Sequence, residues 1–214
     1  GPDDRVLLQV RLATLLERTG QTMPRSAMDV LRELQRASDS LPAQLAVLGA
    51  HTTWADEDLV KAAIGRLKAL AESSAEWRLF EAQRLLTFTP SPERASRALS
   101  DDVLNPILRG QSNPRASALA AEAWLVLGNR AQAITQLERA ARGLSDPSRV
   151  YPRLIAMLLE DGQSDSARAR QNEFLAITLV SPADIRARAA LSENLAMWDQ
   201  AIADRRELAD GGNE

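Results

Sequence analysis

The residues that could carry out chemistry are few in this sequence. His51 is the only histidine and cysteine is absent, so thiol chemistry and sites built from several imidazoles have no residues to form them. The ten glycines stand mostly alone at predicted turns, and no phosphate-binding glycine loop occurs. The sequence therefore predicts no cofactor and no metal site, and we expect His51 to lie at a helix end on the surface.

Carboxylates are more frequent, and some stand next to each other. Asp101-Asp102 and Glu160-Asp161 could in principle serve carboxylate catalysis, but neighbours along a helix point in different directions. The acidic run at residues 56–58 stands where a helix begins, so it favours capping and a helix-dipole contact over metal binding. We interpret these acids as helix ends and solvated faces, and predict that the protein is not an enzyme.

Composition restricts the function classes further. The 214 residues are 45% hydrophobic and 26% charged, which is typical of a folded chain, and the net charge of −3 gives no electrostatic signature of nucleic-acid binding. No apolar run approaches the roughly 20 residues that cross a bilayer. Only Lys61 and Lys68 are lysines, against 24 arginines, which indicates the coding bias of a GC-rich bacterial genome or, as the second interpretation, selection for bidentate arginine contacts. Gly1-Pro2 resembles the remnant of a cleaved tag, so a targeting segment could have been removed, and cytoplasm and periplasm both stay open.

The elements that must position any site are helical hairpins. Residues 113–147 open with Asn113-Pro114, a capping side chain followed by a residue suited to the first helical turn. Apolar residues then recur every three or four positions until Gly128-Asn129, where a left-handed residue is expected to end the helix. A second helix follows directly, and Ser145-Asp146-Pro147 is predicted to end it and to cap the next helix.

The cap signal repeats along the chain. Pro114, Pro147 and Pro182 each follow a polar capping residue and are 33 and 35 residues apart. Gly128 and Gly162 occupy the corresponding turns, so the spacing predicts an internal repeat. We predict one all-α domain over residues 1–214, built from about six antiparallel hairpins and about twelve helices. The hairpins span approximately residues 5–41, 42–75, 76–113, 114–146, 147–181 and 182–214.

Two details of this scheme concern individual helices. In the third hairpin the second helix is predicted to run from Ser91 through Val103, and Asn105-Pro106 should end it, with a short extra turn before the next unit. The four tryptophans are spread over four hairpins, and core packing is expected for each, with Trp54 partly exposed. They are Trp54, Trp77, Trp124 and Trp198.

This pattern resembles the tetratricopeptide repeat (TPR) family, in which about 34 residues form a helical pair. The residues of one unit that match the family's small, aromatic, turn, large and proline positions are Ala121, Trp124, Gly128, Ala133, Leu137, Ala140 and Pro147. In the next unit Gln171 and Phe174 depart from the family pattern. The resemblance implies a right-handed α-solenoid whose first helices line a concave face.

The resemblance also implies a function. We expect a non-enzymatic scaffold that binds a partner protein or peptide through the concave face, as a segment of a larger bacterial protein in envelope assembly, polysaccharide export or regulation. The family's inward positions select Arg115, Glu122, Leu125, Arg149, Arg153, Glu160, Arg186 and Glu193 as partner-binding residues. Nucleic-acid partners and direct membrane insertion are not expected, and homo-oligomerisation stays open. The alternative is a regulatory module in which a small molecule fills the groove.

Overall fold

The computed structural model describes residue 8 and residues 27–37, 40–110, 112–179 and 181–210. Within these ranges the chain forms twelve α-helices and one 3₁₀ helix, with no strand. The α-helices are α1 (Ala27–Ala37), α2 (Leu41–Gly49), α3 (Glu57–Leu70), α4 (Ala75–Thr87), α5 (Pro92–Ala98), α6 (Asn105–Arg109), α7 (Pro114–Val126), α8 (Arg130–Gly143), α9 (Val150–Glu160), α10 (Ser164–Leu175), α11 (Pro182–Asn194) and α12 (Trp198–Asp210). Gly1-Pro2 and most of the predicted first helix of the first hairpin lie outside the described residues.

The chain divides into two compact units, residues 1–106 and residues 107–214. Helices α1 to α5 belong to the first unit and α7 to α12 to the second. Nowhere in the described ranges is a helix both long enough and apolar enough to span a membrane.

The first unit packs around aliphatic and aromatic side chains from α1 to α4. Leu31, Val47 and Leu67 are fully buried at its centre. Trp54, in the 3₁₀ helix His51–Ala55, stacks against Phe88 with ring centroids 6.2 Å apart. This aromatic contact joins the 3₁₀ helix to the end of α4, so the irregular segment after α2 is part of the core of the unit.

The acidic turn before α3 caps that helix, as the sequence predicts. Asp56 is the N-cap residue, and its Oδ1 accepts a hydrogen bond from the Leu59 N–H at 3.1 Å. Arg32 of α1 donates to the other carboxylate oxygen at 2.7 Å. The hydrogen bond from Arg32, followed by the one from Leu59, lowers the pKa of Asp56 below its ordinary value. His51 is exposed at the start of the 3₁₀ helix.

The second unit contains three regular hairpins, α7 with α8, α9 with α10 and α11 with α12. Asn113 Oδ1 accepts from the Ala116 N–H at 3.0 Å and so caps α7, as predicted. Gly128 and Gly162 both have positive φ, of 74° and 72°, at the turns inside the first two hairpins. Ala196 takes the same left-handed conformation in the third, with φ of 55°. The repeated turn geometry explains the repeated turn signal in the sequence.

Small residues allow the helices of the second unit to approach closely. Ala116, Ala120, Ala133 and Ala140 have no exposed surface. At Gly143 a β-carbon would lie 2.9 Å from Pro114 Cβ, so the end of α8 and the start of α7 meet where only glycine fits. Alanine-rich contacts therefore replace the large aromatic core that this chain lacks.

Three predictions about individual elements were wrong. Helix α5 ends at Ala98, not at Val103, because Ser100 and the two aspartates after it form a turn instead. Helix α9 begins at Val150 with Arg149 in the N-cap position, since the Asp146 side chain accepts from the Ser148 N–H in a turn of its own.

The third wrong prediction is the core position of Trp198. Its side chain is 60% exposed. It opens α12, the last described helix, and no further described hairpin lies over its outer face. Trp77 is buried, as predicted, and Trp54 and Trp124 are half-buried.

Candidate protein-interaction surface

The eight predicted partner-binding residues all lie in the second unit, on or next to the first helix of each hairpin. Helix α7 carries Arg115, Glu122 and Leu125, α9 follows Arg149 and carries Arg153 and Glu160, and α11 carries Arg186 and Glu193. We call these helices, with their eight residues, the first-helix face.

The structure brings two of these residues into direct contact. Arg153 of α9 donates through Nη1 to Glu122 Oε1 of α7. Both side chains are 43% exposed, so this ion pair lies at the surface. The contact shows that α7 and α9 present these two positions side by side, and α9 in turn packs against α11.

The other two glutamates of the face are also paired within the chain. Glu160 lies 2.7 Å from Arg130 Nη2, and Glu193 lies 2.9 Å from Arg205 Nη2. Both arginines come from second helices, α8 and α12. Each of the three predicted glutamates therefore has an arginine of the same chain as an ion-pair partner at the surface.

Two arginines of the face are in a different position. Arg186 is exposed and forms no hydrogen bond or ion pair within the described part of the chain. Arg149 is exposed beside Asp146, whose pKa is lowered mainly by hydrogen bonds from Ser148 and further by the charge of Arg149. These two guanidinium groups are the strongest candidates for contact with an acidic partner.

Leu125 and Arg115 are less available. Leu125 is half-buried and packs against the core of the second unit. Arg115 is half-buried in the first turn of α7. Of the eight predicted residues, Arg149 and Arg186 are thus the exposed charges with no ion pair to a described residue.

Sequence reasoning missed two arginines that link successive hairpins. Arg130 Nη2 donates to the Met157 carbonyl at 2.7 Å, and Arg168 Nη2 donates to the Leu195 carbonyl at 3.0 Å. In both cases an arginine of one hairpin reaches the carboxyl end of the next hairpin's first helix, 27 residues later in sequence. The equal spacing is visible in the sequence, but the carbonyl acceptors are backbone atoms that no residue pattern marks.

A buried polar network in the last two hairpins was also missed. Arg188 donates to Asp204 through Nε at 3.0 Å and Nη2 at 2.6 Å, and these side chains are only 9% and 5% exposed. Gln171, fully buried, donates to the Ser192 hydroxyl at 2.7 Å. Gln171 stands where the TPR pattern has a large apolar residue. Its hydrogen bonds to α11 account for a polar side chain at this position.

The adjacent acidic residues noted in the sequence lie at a helix end and in a turn. Within the described ranges no group of three or more histidine, cysteine, aspartate or glutamate side chains is placed to hold a metal ion. Asp101 accepts from Asn105 Nδ2 at 2.7 Å, and Asp161 lies 2.5 Å from Arg130 Nε. Three of the four paired acids, Asp101, Glu160 and Asp161, are therefore engaged in local contacts.

Comparison with known proteins identifies the fold. No family model matches the chain, and no curated protein matches it. Solved structures do. The structure of PilF from Pseudomonas aeruginosa superposes with a TM-score of 0.58 and 17% identity, over 96% of this chain and 91% of PilF.

Two further structures agree. MamA gives a TM-score of 0.54 at 15% identity, over 76% of this chain and 92% of that one. A tetratricopeptide repeat protein from Parabacteroides merdae ATCC 43184 gives 0.50 at 15% identity, over 96% of this chain and 78% of that one. These similarities confirm the TPR-like, all-α fold that the repeated caps and turns predict.

Proposed function

We propose that this protein is a non-enzymatic scaffold that binds a partner protein or peptide through the first-helix face of its second unit. The observation that carries the proposal is the contrast in charge pairing on that face. Each of its three glutamates has an arginine of the chain as an ion-pair partner, whereas Arg149 and Arg186 are exposed and have no carboxylate bonded to them within the described residues. The face therefore offers guanidinium groups to the partner.

The chemistry of these groups indicates the partner's character. A guanidinium presents several N–H donors in one plane and binds a carboxylate through two of them. Arg149 directly precedes α9, and Arg186 lies on α11. These two helices pack against each other. We expect a partner segment with acidic side chains, because it could contact both arginines at once.

Pre-ordered helices favour this mode of binding. The first helices are fixed by the buried core of the second unit, so they lose little conformational entropy when a partner binds. Half-buried Leu125 adds apolar area beside the charges. Affinity then depends on apolar contact, while the arginines set the orientation of the partner. A role in envelope assembly, polysaccharide export or regulation would be consistent with such a scaffold.

The test is an affinity measurement with a purified partner. The intact chain is used as bait in bacterial lysate, captured proteins are identified by mass spectrometry, and each is purified for calorimetry. Arg149→Glu and Arg186→Glu should each weaken binding by at least about tenfold, since they place like charges opposite the partner's acids. Arg139→Glu, on the exposed side of second helix α8, is the matched control and should leave the affinity unchanged.

Equal affinities for the intact chain and for all three variants would place binding elsewhere and overturn the proposal. Hydrolase or lyase activity abolished by a single carboxylate substitution would overturn the non-enzymatic assignment.

A further inference from the structure

A cavity of about 720 Å³ lies entirely within the first unit. Its walls come from α3, from the start of α4 and from the turn that follows α5. Lys61, Lys68, Trp77, Arg97 and Asp102 are among the lining residues. None of them belongs to the first-helix face, so this cavity is independent of the proposed function.

The charges that line the cavity are of both signs, and several are not paired. Lys61, Arg97 and Asp102 form no hydrogen bond or ion pair with any described residue. Glu81, by contrast, lines the same cavity but is held by two hydrogen bonds from Arg84. These unpaired groups are exposed and are therefore available to bind a ligand.

The chain's two lysines both line this cavity. They lie seven residues apart on α3, which places them on one face of that helix. The ammonium of Lys68 lies 4.6 Å from the centre of the Trp77 ring, and the guanidinium carbon of Arg78 lies 4.5 Å from it. One wall is therefore cationic over two helical turns and is backed by an indole ring.

Gly65 lies between the two lysines on the same wall. It sits in the interior of α3, where glycine is a poor helix former compared with alanine. A β-carbon built on Gly65 would meet no atom within 4 Å, so packing inside the protein does not require glycine there. Because Gly65 is exposed and has no side chain, the surface of α3 between the two lysines is open.

We propose that this cavity binds a carboxylate-bearing peptide segment of a partner protein, with acidic side chains against Lys61 and Lys68 and the peptide backbone passing Gly65. A carboxylate fits better than a phosphate, because Glu72 and Asp102 line the same cavity and repel a doubly charged group more strongly.

A peptide also fits better than a small dicarboxylate. The cavity of about 720 Å³ is open to solvent on one side, so a chain segment can lie along it, whereas a small diacid would occupy only part of it. Backbone N–H groups of a peptide can donate hydrogen bonds to the Asp102 and Glu72 carboxylates. An ionised diacid has no hydrogen-bond donors for them.

The experiment measures fluorescence anisotropy of a labelled peptide of alternating glutamate and leucine, titrated with the intact chain. The same peptide with glutamine in place of glutamate is the matched probe. The glutamate peptide should bind and the glutamine peptide should not. Lys61→Gln and Lys68→Gln should each weaken binding by about tenfold, the size expected for losing one charged hydrogen bond. Arg36→Gln, an exposed arginine of α1 in the same unit, should change nothing.

A second variant separates binding from folding. Gly65→Leu introduces a good helix former whose side chain projects into the cavity, so it should abolish peptide binding while the thermal midpoint stays equal or rises. A structural role for Gly65 would instead lower the midpoint.

Unchanged peptide affinity in the Lys61→Gln/Lys68→Gln double variant would overturn the proposal. Binding of inorganic phosphate or succinate without binding of the glutamate peptide would overturn the peptide assignment. Failure of the cavity proposal would leave the proposal for the first-helix face standing, because the two experiments change different residues.

Discussion

Within each unit, the first residue of a second helix contacts the next hairpin. This residue is an acid in the first unit and an arginine in the second. In the first unit Glu57, the first residue of α3, accepts from Arg84 of the next hairpin at 2.5 Å and from Arg94 at 2.6 Å. In the second unit Arg130, the first residue of α8, donates to the Met157 carbonyl. Each residue opens the second helix of its hairpin and contacts a residue 27 positions later.

The opposite charges of Glu57 and Arg130 follow from one physical property that both junctions share. The carboxyl end of a helix exposes carbonyl groups and carries partial negative charge, so it favours a nearby cation. In the first unit the next hairpin supplies that cation itself, since Arg94 donates to the Arg84 and Leu85 carbonyls at the end of α4. Glu57 then neutralises the arginines. In the second unit the preceding hairpin supplies the cation, and no acid is needed at the start of α8.

The units also differ in where their buried ion pairs lie. Arg84, only 9% exposed, is held between Glu81 of its own helix and Glu57 of the preceding hairpin. The buried pair of the second unit, Arg188 with Asp204, lies inside a single hairpin, α11 with α12. Buried charge thus fixes the orientation of neighbouring hairpins in the first unit and the internal register of the last hairpin in the second.

The largest effect is expected from Asp204→Ala. This change leaves the Arg188 guanidinium buried without its carboxylate, which typically destabilises a protein by about 3–5 kcal/mol. Because the pair lies inside one hairpin, hydrogen exchange should accelerate over residues 182–210 more than elsewhere. Asp210→Ala, at the exposed end of the same helix, is the control. Equal acceleration throughout the second unit would contradict a role confined to the last hairpin.

A matched pair of arginine substitutions tests the two junctions directly. Arg84→Met leaves Glu81 and Glu57 without their shared cation, and we expect a loss of about 3 kcal/mol in urea denaturation. Arg130→Met removes a more exposed contact, so its denaturation midpoint should shift by less than half as much. If the Arg130→Met shift were the larger one, the carbonyl contact would matter more than the buried ion pairs.

The smallest effect is a difference in acid sensitivity. Hydrogen bonds from Arg94, and then from Arg84, hold the pKa of Glu57 below its ordinary value of 4.5. The folded carboxylate is therefore favoured, and its stabilisation is complete above about pH 4.5 and is lost as the pH falls through the lowered folded pKa. Denaturation midpoints measured from pH 6 downwards should fall less steeply in Glu57→Gln than in the unchanged chain. An identical slope would show that Glu57 does not couple to folding.

Much of the fold could be predicted from local signals. Capping side chains such as Asn113 and Asp56, and glycine turns such as Gly128, act on backbone groups only a few residues away, so their spacing alone indicates where helices begin and end. The errors at Ala98 and Val150 occurred where aspartate and serine form a turn of their own instead of continuing a helix or capping one. Local sequence does not distinguish these outcomes, because both satisfy the same backbone donors.

The candidate sites were less predictable. The repeat pattern placed eight residues on or next to the first helices, and two of them, Glu122 and Arg153, do meet. It could not show which charges are already paired, since the partners Arg130 and Arg205 come from second helices elsewhere in the sequence. It gave no sign of the cavity beside Lys61 and Lys68, because a cavity is bounded by several helices and by the space between them.

The sequence by itself determined the helical hairpins, their turns and the absence of residues for thiol or multi-histidine chemistry, since these depend on residue type and short-range spacing. Only the tertiary structure decided which arginine neutralises which carboxylate, and which charges are left for a partner. The reason is distance: a cap acts within one helical turn, whereas an ion pair such as Arg188 with Asp204 exists only once packing has brought two helices together.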